Sequence, residues 1–227
     1  MLIANVSPRT AGKTTDSGLL AHALDKATIE VEPNHAIKAN YKIEGYDADH
    51  SAQFWDWSQP GKGNFTFKVH RQPLARFYRD LEKPSDPKHI GIIDCGHTEN
   101  HPDIADAVLR VADLVIVHMA PTSSDFERIV DPPDATPLLE VIDRSKGRRP
   151  SGKPPETWVL LNRCVAGARS VKHYRKEMLA EEFQVFTTTI PRSEMLAQVV
   201  GFPVGDAAVR PFEPLVTEMQ KKGLLPA

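Results

Sequence analysis

The chain has 227 residues, and its 28 Lys and Arg against 30 Asp and Glu leave a formal net charge of -2 at pH 7; 41% of the residues are hydrophobic. A chain of that size can bury a sizeable core without disulfide or metal staples. The charge balance excludes a uniformly basic nucleic-acid coat, so any contact with phosphates must come from a local face. Cys95 and Cys164 are too few for a disulfide framework and are expected as buried thiols. The opening MLIANV lacks the basic and apolar regions of a secretion signal, and no apolar run approaches the roughly 18 residues of a membrane span. A cytoplasmic protein is expected.

In chain order, residues 2–6 form a short apolar strand, followed by a turn-rich connection and a helix from about Lys13. There Leu19, Leu20, Ala23, Leu24 and Ala27 recur at helical spacing. Pro33 interrupts the next stretch, residues 34–40 have no clear period, and a strand resumes at 41–47. The SQPGKGN segment at 58–64 is a turn. Phe65, Phe67 and Val69 alternate with polar residues as a half-exposed strand, and a helix at 74–81 is stopped by Pro84 and Pro87. Trp55 and Trp57, at strand spacing, are expected to share a face and anchor the following loop against the core.

Residues 89–94, HIGIID, are a buried strand, 103–111 a helix and 113–119, DLVIVHM, another strand. Apolar strands separated by a helix predict an α/β fold, a mostly parallel central sheet with helices on both faces. A helix at 123–129 is broken by DPPDATP before apolar character resumes at 138–142. The charged, turn-rich 145–156 should project into solvent as a loop of one domain spanning 1–227. A strand at 157–161, a helix capped by Ser170, a strand at 183–189, a short helix after Pro191 and an amphipathic helix at 211–222 complete the chain.

SPRTAGKTT, residues 7–15, lies between the first strand and first helix and matches a phosphate-binding loop. Its backbone N–H groups near Gly12 can surround phosphate oxygens, Lys13 can meet their charge, and the Thr14 hydroxyl can join a magnesium shell. Ser7 replaces the first glycine of the usual pattern, and Arg9, Thr10 and Ala11 carry side chains where glycines are common. Asp47 and Asp49, at a strand end, could stand around magnesium and an attacking water, or form a solvated acidic turn. Asp94, emerging from a strand's carboxyl end, is a candidate magnesium carboxylate. His97 and His101 lack zinc-site spacing and are expected to make polar loop contacts. Arg163, Arg169, Lys172, Arg175 and Lys176 form a basic region that could meet DNA phosphates without reading sequence, or be a solvated helix face.

Taken in order, NVSPRTAGKTT, GYDADHSAQFWDW, IGIIDCG, ADLVIVHMAPTSSD, LLNR and TTIPRSE resemble the ParA and MinD family of deviant Walker ATPases, P-loop NTPases, especially the partition ParA proteins. The resemblance covers most of the chain. It implies an ATP- and Mg2+-dependent dimerisation switch in which Arg9, Thr10, Ala11, Gly12, Lys13, Thr14 and Thr15 form the nucleotide loop. In it Asp49 positions water, Asp47 shapes the carboxylate site, and Thr14 and Asp94 support the metal. Asn162 becomes an adenine-side contact and Pro191 part of the base pocket. Pro8 and Arg9 stand where the family has its signature lysine; Arg9 is either the replacement cation or a loop anchor. Implied partners are a second copy, non-specific DNA and a ParB-like adaptor, with nucleoid association and no stable membrane binding. A MinD-like positioning ATPase, a nucleotide-binding regulator with weak hydrolysis, and a metabolic phosphotransferase are the alternatives.

Overall fold

Seven parallel strands form the main sheet among the described residues of this computed structural model, which are 1–9, 11–32, 35–81 and 86–226. In chain order the elements are β1 (Leu2–Ser7), α1 (Lys13–Asp25), β2 (Thr28–Glu32), β3 (His35–Lys38), β4 (Lys42–Ala48), α2 (Gln53–Trp57), β5 (Val69–Arg71) and α3 (Phe77–Asp80). There follow β6 (His89–His97), α4 (Pro102–Val111), β7 (Leu114–Met119), α5 (Ser123–Val130), α6 (Leu138–Arg144), β8 (Glu156–Cys164) and α7 (Arg169–Ala180). β9 (Gln184–Pro191), α8 (Glu194–Gln198), α9 (Asp206–Val209) and α10 (Glu213–Lys221) complete it. The sheet order is β5-β4-β6-β1-β7-β8-β9; β2 and β3 pair separately and antiparallel.

Because successive strand residues face opposite ways, each central strand feeds two cores. Ile3, Ile90, Ile92, Ile116 and Leu160 pack with Leu19, Leu20 and Leu24 of α1 and Leu215, Val216 and Met219 of α10. Ala4, Val6, Ile93, Val115, Val117 and Val159 pack on the other face with Ile104 and Val108 of α4, Ile142 of α6 and Met178 of α7. The expected parallel sheet with two covered faces is therefore observed. Both cysteines are free and buried, and burial pushes the Cys95 thiol up to about 12.

Several local expectations change. Trp55 and Trp57 lie on α2 rather than on a strand, and helical geometry splits them: Trp57 is buried against α1, whereas Trp55 is half-buried with the Arg71 guanidinium 5.8 Å from its ring. Gly18 makes room for Trp57, since a Cβ there would stand 2.3 Å from the indole. Phe65 and Phe67 precede the strand. Their rings lie 4.8 and 5.4 Å from the His22 ring, and pairing with β4 begins only at Val69. The helix at 74–81 contracts to the single turn of α3, and Pro84 lies outside the described residues, as do Pro33 and Asn34. Ser170 does not cap α7; Ala168 holds that position, with no side-chain cap. In the 145–156 segment, residues 145–148 form a 3-10 turn, and Arg148 and Arg149 tie it to Asp106 and the Leu109 carbonyl of α4.

Candidate nucleotide site

On five neighbouring strands the α1-facing row ends in a polar residue. Asp47 follows Ile43 and Gly45; Asp94 follows Ile90 and Ile92; Asn5 follows Ile3; His118 follows Leu114 and Ile116; Asn162 follows Leu160. All five are at most 3% exposed. Parallel register aligns them at the carboxyl edge of the sheet, with Asp47 opposite Asp94 and Asp94 opposite Asn5. The amino end of α1 begins directly after β1 at this edge, where unsatisfied helix N–H groups favour an anion.

Gly12 turns the chain into α1 with φ 91° and no side-chain cap. Among the described residues of the loop it alone has a positive φ, so Ser7, Arg9 and Ala11 are accommodated without strain. Ser7 has a use there, because its Oγ accepts from Lys13 Nζ at 2.9 Å and donates to the Arg9 carbonyl. Lys13 Nζ also donates to Arg9 O at 3.1 Å. Burial lowers the Lys13 ammonium below its ordinary range, against the opposing pull of Asp94. Such a desolvated cation at a helix start is suited to a phosphate. Thr10 lies outside the described residues; Ala11 is buried and Thr15 lines the adjoining cavity.

Thr14 Oγ1 donates to Asp94 Oδ2 at 2.7 Å, and Ser17 Oγ lies 3.3 Å from Asp94 Oδ1. Burial first, then the charge of Asp47, pushes the Asp94 carboxyl up to about 7. A hydroxyl and one carboxylate fit Mg2+, which keeps waters and takes its remaining ligands from phosphates. Among the described residues no group of three or more His, Cys, Asp or Glu is arranged to hold a metal. Asp47 has both oxygens engaged by backbone: Oδ1 accepts from Asp49 N at 3.0 Å and Oδ2 from Trp55 N at 2.8 Å. Asp49 stands just past β4, half-buried beside Gly96. His97 contacts Asn100 at 3.4 Å, and the His101 ring lies 4.6 Å from that of His50.

A cavity of about 740 Å³ runs from Gly12 and Thr15 past Asn162 and Arg163 to Pro191 and Leu196. It is large enough for a base and sugar. Asn162 sits at its floor and makes contacts of its own: Nδ2 donates to Ala11 O at 2.8 Å and to Asp16 Oδ2 at 2.6 Å, while Oδ1 accepts from Arg163 N at 2.7 Å. His118 Nδ1 is 2.7 Å from Asp16 Oδ2 and its Nε2 2.8 Å from Asn5 Oδ1; Asn5 Nδ2 donates to Ser17 Oγ at 2.8 Å. This buried chain links the cavity to Asp94. Asn5, Asp16, Ser17 and His118 belong to no sequence motif, and polar residues interrupting LIANV, LVIVHM and the buried face of α1 are their signal in the sequence.

Arg9 is exposed and ion-paired through Nε to Glu99 at 2.9 Å; Glu99 also meets Arg128 at 3.3 Å. Of the five basic candidates on and before α7, Arg163 lines the cavity and Arg175 donates to Thr187 O at 2.8 Å. Arg169, Lys172 and Lys176 are exposed.

No family model matches the sequence, and no curated protein matches it either. Solved structures do. Apo McdA of Cyanothece superposes with a TM-score of 0.67 at 14% identity, over 96% of this chain and 98% of that one. The chain has the ParA/MinD fold. A plasmid partition protein from Borrelia burgdorferi B31, bound to AMPPNP, gives a TM-score of 0.64 at 14% identity over 97% and 98% of the two chains. MinD from Pyrococcus horikoshii OT3, complexed with Mg-ADP, gives 0.60 at 14% identity over 98% and 96%.

Proposed function

We propose that the protein is a Mg2+-dependent ATPase of the partition type. One observation carries the reading: at the carboxyl edge of a ParA/MinD sheet, the start of α1 brings buried Lys13 beside a Thr14–Asp94 pair 2.7 Å apart. Lys13 neutralises phosphate charge, and the amides following Gly12 hold phosphate oxygens. Thr14 and Asp94 hold Mg2+, which, when bound, polarises the phosphoryl oxygens. Asp49, past the end of β4, orients the attacking water, and Asp47 fixes the turn that presents Asp49. Thr15 and Pro191 border the sugar and base.

Two nucleotide-bound copies associate, and Arg169, Lys172 and Lys176 on the exposed side of α7 meet DNA phosphates without reading sequence. The DNA-bound dimer is nucleoid-associated in the cytoplasm, and a ParB-type adaptor on the cargo stimulates the hydrolysis that releases or resets it. A MinD-like membrane role is less favoured, because α10 spends Leu215, Val216 and Met219 on the core. A second reading, a nucleotide-binding regulator with weak hydrolysis, is supported by the Arg9–Glu99 pair, which holds the candidate signature cation within its own chain.

Purified protein assayed for multiple-turnover ATP hydrolysis and ATP-dependent retention on non-specific DNA tests the proposal. Lys13→Ala is expected to abolish both. ATP binding with neither turnover nor DNA retention would leave the regulator reading and sink the partition ATPase.

A further inference from the structure

We infer that a groove between α5, α6 and α7 docks a basic, amphipathic segment of a partner protein. The groove stands apart from the nucleotide reading, since it shares no lining residue with the cavity that runs from Gly12 to Leu196. α5 and α7 each begin after the carboxyl end of a strand and run back across the sheet. The groove where they end therefore lies toward the opposite edge, beside the start of β9. Its volume is about 470 Å³, within the range of cavities that seat a ligand.

The floor of the groove is apolar. Ile129 and Phe183 are buried members of the core that α4, α6 and α7 cover, while Val130, Pro137 and Leu139 beside them are half-buried. The core thus reaches the surface here. Apolar side chains entering the groove would take that surface out of water, which is how a few anchor residues carry most of the affinity of a docked segment.

The rim decides what kind of segment enters. Glu140 and Asp143 of α6 and Glu181 and Glu182 after α7 line it, and all four are exposed. Arg144 and Lys146 pair with Glu140 and Asp143, but both pairs stand in water and hold little, so an incoming cation can replace either partner. Glu181 and Glu182 have no ion pair among the described residues. They also stand at the negative end of the α7 dipole, whose last turn contains no basic residue. Glu182 has φ 65°, the left-handed conformation in which glycine most readily ends a helix. Local stability alone would favour lysine and glycine at this helix end. Two carboxylates there leave a charge that Lys or Arg side chains of a partner can neutralise. The same rim repels nucleic acid and anionic lipid. An amphipathic helix with an apolar stripe and cationic flanks meets floor and rim together.

Fluorescence anisotropy of a labelled Leu/Lys peptide, with its leucines at helical spacing, tests the groove on the full chain. Saturable binding is expected at micromolar concentration, and peptides carrying Glu for Lys or Ser for Leu should bind more weakly by about tenfold or more. Glu181→Lys with Glu182→Lys should weaken the Leu/Lys peptide by about fivefold or more, yet leave the urea midpoint unchanged or raised, because lysine suits a helix end that glutamate does not. Leu139→Ser, checked for a native unfolding transition, should weaken it to a similar degree. No saturable binding, or equal binding by the doubly charge-reversed protein, would overturn the inference. So would either of two other occupants: self-association without nucleotide that Leu139→Ser abolishes in light scattering, or co-sedimentation with phosphatidylglycerol vesicles that depends on Leu139. If Leu139→Ser does not fold, the charge-reversed protein, altered only at exposed positions, decides alone.

Discussion

Replacing Gly12 by alanine probes both the loop and the asparagine behind it. Two costs can be separated. The residue has φ 91° and ψ 17°, and an L side chain in that left-handed conformation costs about 1–2 kcal/mol. An added Cβ would also stand 2.9 Å from Asn162 Nδ2, closer than a methyl group tolerates. Asn162 must then yield, and it makes three short hydrogen bonds, one of them to a buried carboxylate. Weakening that set costs about 1–3 kcal/mol. Gly12→Ala should therefore destabilise the protein by about 3 kcal/mol in total.

Gly61→Ala supplies the control. Gly61 has φ 84°, and nothing lies within 4 Å of the position its Cβ would take, so only the backbone cost of about 1–2 kcal/mol applies. Urea unfolding of both variants, followed by tryptophan fluorescence from buried Trp57 and Trp158, should separate them by about 1–3 kcal/mol. Equal destabilisation would mean that the Asn162 contacts contribute nothing measurable and that the steric reasoning fails. Nucleotide affinity should fall at least tenfold in Gly12→Ala and stay unchanged in Gly61→Ala.

Two further outcomes are expected. Asp47→Ala leaves the backbone N–H groups of Asp49 and Trp55 without their acceptor and should cost about 2–4 kcal/mol in the same urea titration; a cost under 1 kcal/mol would show that the turn holds itself. His22 makes stability depend on acid: burial, then the charge of Lys26, holds its imidazole down at about 4, below the ordinary 6.5. Between those values the unfolded chain binds a proton that the folded one refuses, so stability present above pH 6.5 is lost as pH falls through 4, by about 2–3 kcal/mol. His22→Leu should flatten the fall between pH 7.5 and 4 by that amount, and parallel curves for the two proteins would exclude the histidine as its source.

The elements that could be placed from sequence are those whose side chains answer to one local period. The strands at 2–6, 89–94, 113–119 and 157–161 are apolar runs, and the sheet buries each on both faces, so no competing pattern obscures them. Where tertiary packing overrides local spacing, the observed elements depart from the sequence pattern. Trp55 and Trp57 satisfy a strand period by coincidence, but the Asp47 carboxylate accepts from the Trp55 N–H within α2, and Gly18 leaves the space that the Trp57 indole occupies. Phe65 and Phe67 likewise alternate, yet both fold over His22 rather than sharing one face of a ladder strand.

The site divides in the same way, and register explains the division. That Lys13, Thr14 and Asp94 stand together at one sheet edge was legible because the AGKTT motif between a strand and a helix points to a phosphate loop, and beside it an acid at the end of a buried strand becomes a candidate for the same edge. Asn5, His118 and Asp16 were not, because one polar residue in an apolar run has no partner until strands are aligned. The alternation that sends Ile3, Ile92, Ile116 and Leu160 towards α1 sends Asn5, Asp94, His118 and Asn162 the same way two residues later. Since a slip of one residue would carry a strand's whole set to the opposite face, the apolar row that fixes each strand's register also fixes the polar row at its end. Core packing and site assembly are thus one specification. Substitutions that disturb the α1-facing apolar row should therefore impair nucleotide binding as well as stability, even where they touch no residue of the site.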